Sequence, residues 1–428
     1  MEFTLWKRFG TIHVGITLLI IVFISLSSTL KYYFYSDDYS MLYHLQNNII
    51  PQWPYVFVPL IFTPIYKFFG LMSEPYALLG IITYSLATFL VYLLVFPIVK
   101  KRLVAFFSAA FFATGYIGLD QFTQLAVSSV NNISNIFICI TLIIYLRFIQ
   151  TKKKIYYFFC LLIFILTMVI FPFRVFPLLL FMPTIHAVLT LNLKPNRFFF
   201  KQLFLIIFLQ TPFLIIAYFS GVFSYGSDPE AETVIPALTL WKYIFVIITP
   251  ELLSEIPKVI GRFIIPEPVA SFIFKSVITQ TQYFLVGSIF ILLTTFLGIV
   301  YFNHRTYQRF ARGMLIFLVI TIGGYIGNLL LLPSFDSNGP INRYLNLSFI
   351  GYSGMLSILF FLLSTRLSRI FSKNPIFLYS TFMIIVIAIL ATLSINFEKE
   401  IVRERSDPSR SFFKQILAYV PKISQKTL

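Results

Sequence analysis

The sequence predicts an all-α fold, a polytopic membrane helical bundle of about eleven spans with helices lying on the outer face between the first two. Three observations predict it. Apolar residues arrive in runs of roughly 18 to 22, the length that crosses about 30 Å of hydrocarbon. Short basic connections separate the runs. The chain is also 58% hydrophobic and 11% charged, with a mean hydropathy of +0.86, where a soluble domain carries about 25% charged residues. A transmembrane β-barrel would alternate at every second residue, and no such alternation dominates.

Placement of charge orients the bundle. A net charge of +17 in a soluble chain would point to nucleic acid. Here 18 of the 33 basic residues fall in alternate connections, at Lys7–Arg8, Lys100–Arg102, Arg147 with Lys152–Lys154, Lys194 to Lys201, Arg305 to Arg312 and Arg366 to Lys373. By the positive-inside rule those connections are cytoplasmic. Every Asp and Glu except Glu2 then lies at the outer side or its boundary, a check that did not enter the choice.

The spans read in order are 12–30, 75–99, 103–119, 130–149, 155–171, 174–191, 202–219, 281–301, 313–332, 345–364 and 376–396. Residues 1–396 form one membrane unit with outer loops at 31–74 and 220–280, and 397–428 form a polar basic tail, outside on this count. The N-terminal run is too long for a signal peptide and lacks a small-residue cleavage site, so it reads as an uncleaved anchor. Residues 49–70 are apolar but carry Pro51, Pro54, Pro59 and Pro64, a spacing that a straight spanning helix does not tolerate. Short interfacial helices are expected there, and again within 221–279. Cys139 and Cys160 lie inside apolar runs and read as small hydrophobes, with no disulfide or metal role.

Four polar groups at outer helix ends are candidates for chemistry. The first is Tyr35-Ser36-Asp37-Asp38-Tyr39, just past the first span. Paired carboxylates at a membrane–water boundary can take a proton, hold a cation or simply be solvated. His44 is at i+7 from Asp37 and shares its face if the segment is helical. The second is Arg174, a lone cation in Phe171-Pro172-Phe173-Arg174-Val175-Phe176-Pro177, whose fork suits a phosphate or a lipid headgroup equally. The third is Arg343-Tyr344 at the end of an outer loop, with Asp336 as a competing ion partner. The fourth is the run from Ser128 to Asn135, with Asn131 and Asn132 at its centre, able to line a wet cavity or to bond a neighbouring helix. No Walker loop, dinucleotide fingerprint, zinc helix or nucleophile elbow is present. A donor substrate must therefore carry its own activation.

In this order the features resemble the C-type superfamily of integral-membrane glycosyltransferases (GT-C), the group that includes protein O-mannosyltransferases and aminoarabinose lipid A transferases. The likeness runs through an acidic motif ending the first span (Asp37-Asp38), the Pro-broken segment to Gly70, a basic residue before a Pro-containing span (Arg174 before Pro177 and Pro183), and a late Arg343-Tyr344 pair. Many relatives have Lys where Arg174 stands.

The resemblance implies a sugar donor on a polyprenyl phosphate and a lipid, glycan or protein acceptor. Asp37 or Asp38 would be the general base. The other would orient the acceptor or hold a divalent cation, Mg or Mn, with Asp38 the nearer choice for metal. Arg174, Arg343 and Tyr344 would bind the donor phosphate, with His44, Asn131 and Asn132 accessory. It implies a bacterial or archaeal cell membrane, an outward-facing site, membrane lipids as surroundings and no nucleic acid. Two other classes stay open. A transporter or flippase would show symmetry between halves, and a surface-polysaccharide polymerase or ligase would use the outer loop around Arg262.

Overall fold

Backbone in hydrocarbon must satisfy its own hydrogen bonds, and a helix does so within one segment. The computed structural model describes residues 10–35, 37–49, 57–115, 122, 124–171, 177–191, 197–219, 250–266, 278–302, 304, 306–329, 345–372 and 374–419. Among them the chain is helical and without strands. Helix α1 is Thr11–Leu26, extended by a 3₁₀ turn, Ser27–Lys31. There follow α2 (Asp37–Gln46), α3 (Phe57–Phe69), α4 (Glu74–Val99), α5 (Arg102–Thr114), α6 (Leu125–Thr151), α7 (Lys154–Ile170), α8 (Leu178–Thr190), α9 (Arg197–Phe219) and α10 (Pro250–Ile264). The chain continues through α11 (Gln280–Val300), α12 (Gln308–Leu329), α13 (Asn346–Phe371), α14 (Pro375–Ile401), a π-helical turn Val402–Ser406 and α15 (Asp407–Tyr419).

Among the described residues, seven helical segments are long and apolar enough to cross a membrane: Thr11–Lys31, Glu74–Val99, Ser128–Thr151, Phe199–Ala217, Gln280–Val300, Asn346–Phe371 and Pro375–Ile416. The chain is thus of multi-pass membrane type. The runs predicted at 103–119, 155–171 and 174–191 fall on the shorter helices α5, α7 and α8, of 13, 17 and 13 residues. The Pro-broken segment after α1 holds the short helix α3, with Pro64 inside it.

Polar side chains tie the central helices together, as expected where lipid removes the hydrophobic drive between helices. Tyr84 of α4 stacks on Phe112 of α5 and donates its hydroxyl to the Phe112 carbonyl at 2.6 Å. Ser357 of α13 meets the Val104 carbonyl at 2.9 Å and the Tyr379 hydroxyl of α14 at 2.6 Å. Ser394 of α14 donates to the Thr114 carbonyl of α5 at 2.8 Å. Phe204 and Phe208 of α9 and Ile289 and Leu292 of α11 stay exposed. On helices of span length this is a lipid-facing stripe; in water it would be an aggregation surface.

At the basic ends of α4 and α6, Lys100 and Lys152 close the helix in the left-handed region, with φ of 55° and 58°. A cation there complements the negative end of the helix dipole, which offsets part of the strain of a side chain at positive φ.

Helix α14 continues through residues 396 and 397. The helix Pro375–Ile416 runs 42 residues, about 63 Å at 1.5 Å per residue and so about twice the hydrocarbon thickness. Its far end folds onto the acidic turn. Arg410 donates to the Lys31 carbonyl at 3.0 Å and lies over the Tyr33 ring, Arg405 lies over Tyr35, and Phe413 packs on Tyr39 with ring centroids 5.2 Å apart. The tail therefore packs against the turn that leads into Asp37 and Asp38. Residues 420–428 lie outside the described residues.

That packing buries Glu398 completely against the Ser28 turn, with no cation paired to it among the described residues. Glu398→Gln keeps the shape and removes the charge. It is expected to raise the melting temperature, and by more at alkaline than at neutral pH, because burial penalises an ionised carboxylate far more than a neutral amide. A lower melting temperature in differential scanning calorimetry would mean that the carboxylate holds a partner.

Candidate functional site

The acidic turn is built by a reciprocal pair of hydrogen bonds. The Asp38 amide donates to the Tyr35 carbonyl at 3.2 Å, and Asp38 Oδ2 accepts from the Tyr35 amide at 3.0 Å. Asp37 and Asp38 occupy the first two positions of α2, where the helix dipole favours negative charge. Asp38 is fully buried, and its Oδ2 also accepts from the Leu125 amide at 3.1 Å. Leu125 opens α6, whose N-cap residue Gln124 provides no side-chain cap. One of the orphan donors at that helix end is thus satisfied by a carboxylate 87 residues earlier in the chain. Asp38 fixes the turn to α6.

Tyr39 completes the turn by donating its hydroxyl to the Phe34 carbonyl at 2.8 Å. Burial pushes its phenol up to about 12, ahead of the opposing hydrogen bond with Ser409. It is therefore a neutral donor throughout the physiological range.

Below the turn, the polar run of α6 is buried and joins three helices. Asn132 Nδ2 donates to the Gly80 carbonyl of α4 at 3.2 Å and meets the Thr83 hydroxyl at 3.4 Å. Its Oδ1 accepts from Asn346 Nδ2 of α13 at 3.5 Å. Asn131, Ser128, Ser129 and Ser348 are buried at the same level. Asn132 lies seven residues into α6 from the amide that Asp38 caps, about 10 Å along the axis. The residues that join here come from four separate segments of sequence.

The remaining candidates divide. His44 is half-buried on α2, with Nδ1 2.7 Å from the Ser40 carbonyl, a contact within its own helix. Asp37 is helical, and its side chain lies outside the described residues, as do Arg174, Arg343 and Tyr344. Their described neighbours locate the chain on either side. Asn346, three residues after Arg343, is at the Asn132 layer. Phe171, three residues before Arg174, packs on Phe137 with ring centroids 6.3 Å apart, about 18 Å along α6 from Leu125. Arg262, which the polymerase reading places in the site, is buried in α10 with its guanidinium over the Tyr283 ring of α11.

No group of three or more His, Cys, Asp or Glu side chains converges among the described residues. Asp38 Oδ2 already accepts two amide hydrogens. The described residues do not form a divalent-cation cage.

Sequence reasoning missed the capping role of Asp38 and the contact of Asn132 with Asn346. Asn346 opens α13 as a polar residue in an apolar run, which was the available signal. A second buried cluster also went unread: the Tyr145 hydroxyl is 2.9 Å from His186 Nδ1 and accepts from Gln210 Nε2 at 2.6 Å, linking α6, α8 and α9. No protein-family model and no curated protein matches this chain.

Proposed function

We propose that the chain is a membrane glycosyltransferase that moves a sugar from a polyprenyl-phosphate donor to an acceptor hydroxyl at the face carrying Asp37 and Asp38. The observation that carries the reading is the division of labour in the acidic pair. Asp38 is held by two backbone amides, so its oxygen is committed to structure, and the adjoining Asp37 is the group left to act as base. The acceptor hydroxyl gives its proton to the Asp37 carboxylate as its oxygen attacks the anomeric carbon. The bond from that carbon to the phosphate oxygen breaks, and the polyprenyl phosphate departs as an anion that needs no proton. Single displacement inverts the anomeric centre.

Arg343 and Tyr344 are assigned to the donor phosphate, and they precede Asn346 by three and two residues in the sequence. Arg174 is three residues from Phe171, a reach of about 10 Å when extended. That brings it within range of the Asn131–Asn132 stretch sooner than of Asp38. In this arrangement the phosphate lies deeper, between the arginines, and the acceptor lies nearer the turn. The polar layer of Asn132 and Asn346 holds α4, α6 and α13 in register around it.

The test supplies membranes containing the chain with a panel of polyprenyl-phosphate hexoses and pentoses and measures release of free polyprenyl phosphate by mass spectrometry. Release above that of chain-free membranes with at least one donor is expected, together with its loss in Asp37→Asn. Full release in both Asp37→Asn and Asp38→Asn would remove the mechanism. Release that persists in both but falls on Arg262→Ala would favour the polymerase reading.

A further inference from the structure

We propose that the face of the bundle opposite the acidic turn carries a built site for one anionic glycerophospholipid, in the groove between α11 and α13. This inference is independent of the glycosyltransferase reading. A cavity of about 330 Å³ is lined there by Leu293, Leu297, Leu359, Phe360, Leu363 and Arg366. That volume is at the low end of ligand pockets, about 300–1,000 Å³, and suits an acyl chain rather than a bulky head. Leu293 and Leu363 are about half exposed, so the groove opens sideways toward lipid.

Depth places the two ends. Asn346, at the start of α13, belongs to the polar layer under the acidic turn. Arg366 lies twenty residues further along the same helix, about 30 Å, one hydrocarbon thickness. Its guanidinium is therefore at headgroup level in the opposite leaflet, with the leucines below it in hydrocarbon.

The cation is prepared for an anion. Arg366 donates to the Tyr301 hydroxyl at 2.7 Å and lies 5.9 Å from the centres of both the Tyr301 and Tyr307 rings. Arg369 meets the Tyr307 hydroxyl at 3.4 Å. These partners are neutral. They orient the guanidinium and leave its charge in place, and most of its five N–H donors remain for a phosphate fork. Among the described residues no Asp or Glu lines this groove, and between His304 and Asn374 the sequence contains a single acid, Asp336. A positive charge over an apolar channel of chain width is complementary to a phosphodiester with an acyl tail, and the committed occupant is a lipid of that leaflet.

The test reconstitutes the full chain in nanodiscs holding equal palmitoyl-oleoyl phosphatidylglycerol and phosphatidylcholine and counts retained lipid by native mass spectrometry. One phosphatidylglycerol is expected to be retained in preference to phosphatidylcholine. Arg366→Gln should lower that preference about fivefold, the weight of one basic residue at a membrane surface, and Arg366→Lys should retain most of it. Leu363→Trp, which fills the channel, should displace the lipid without removing the charge. Lys153→Gln, an exposed cation on the same face and away from the groove, should leave retention unchanged. Equal losses in Lys153→Gln and Arg366→Gln would show diffuse surface charge and overturn the site. So would wild-type retention in Arg366→Gln or Leu363→Trp, or displacement of the lipid by millimolar inorganic phosphate.

Discussion

Asp37→Asn is expected to lower glycosyl transfer by about 10²- to 10⁴-fold, the range of general-base catalysis, with the melting temperature unmoved. Asp38→Ala is expected to lower both. The difference follows from where the carboxylates are used. Asp38 holds the Tyr35 and Leu125 amides on one oxygen. Truncating it leaves the first donor of α6 without that acceptor in a fully buried position. Each hydrogen bond to a charged group contributes about 1.5–3 kcal/mol, so a loss of about 3–6 kcal/mol is expected for the two. Asp38→Asn keeps an acceptor oxygen and should fall between. Cys139 and Cys160 are buried in the described core, so a thiol-reactive dye reports the melting transition without added labels. Asp37→Asn with full transfer and Asp38→Ala with wild-type melting would each contradict the assigned roles.

The parts legible in sequence were those set by local rules. Span-length apolar runs became helices at nearly every predicted position, because hydrocarbon leaves the backbone little alternative. Asp37 and His44 both fall on α2, which begins at Asp37. Roles set by distant partners were not legible. Nothing near Asp38 says that its acceptor capacity serves Leu125. Asn131 and Asn132 fitted a wet cavity and helix-to-helix bonding equally well, and only the meeting of α4, α6 and α13 favours the second for Asn132. Glu398 looked like part of a solvated tail, because residues 397–404 are mixed in charge. It is buried since α14 continues past the apolar run and lies against the Ser28 turn. Composition changes at 396/397 while the helical backbone continues through it.

Gly287→Val is expected to separate α10 from α11 and to speed amide exchange across residues 250–264 by about ten- to a hundredfold, equivalent to the roughly 1–3 kcal/mol of overpacking. The two helices meet backbone to backbone. A Cβ at Gly287 would overlap the Pro257 carbonyl, and one at Gly261 would overlap the Tyr283 carbonyl, so each glycine is a contact surface for the other helix. Neither neighbour is a side chain that can swing away. The hairpin in turn rests on α13 through Phe263, whose ring is 5.7 Å from Phe349 and 5.3 Å from Tyr352. Losing it should open the wall beside α13 while the thiols of α6 and α7 remain protected, which separates local from global unfolding. Leu292→Val, five residues on and lipid-facing, should leave exchange unchanged. Wild-type exchange in Gly287→Val would mean that α10 is held by other contacts and that the glycine pairing is incidental.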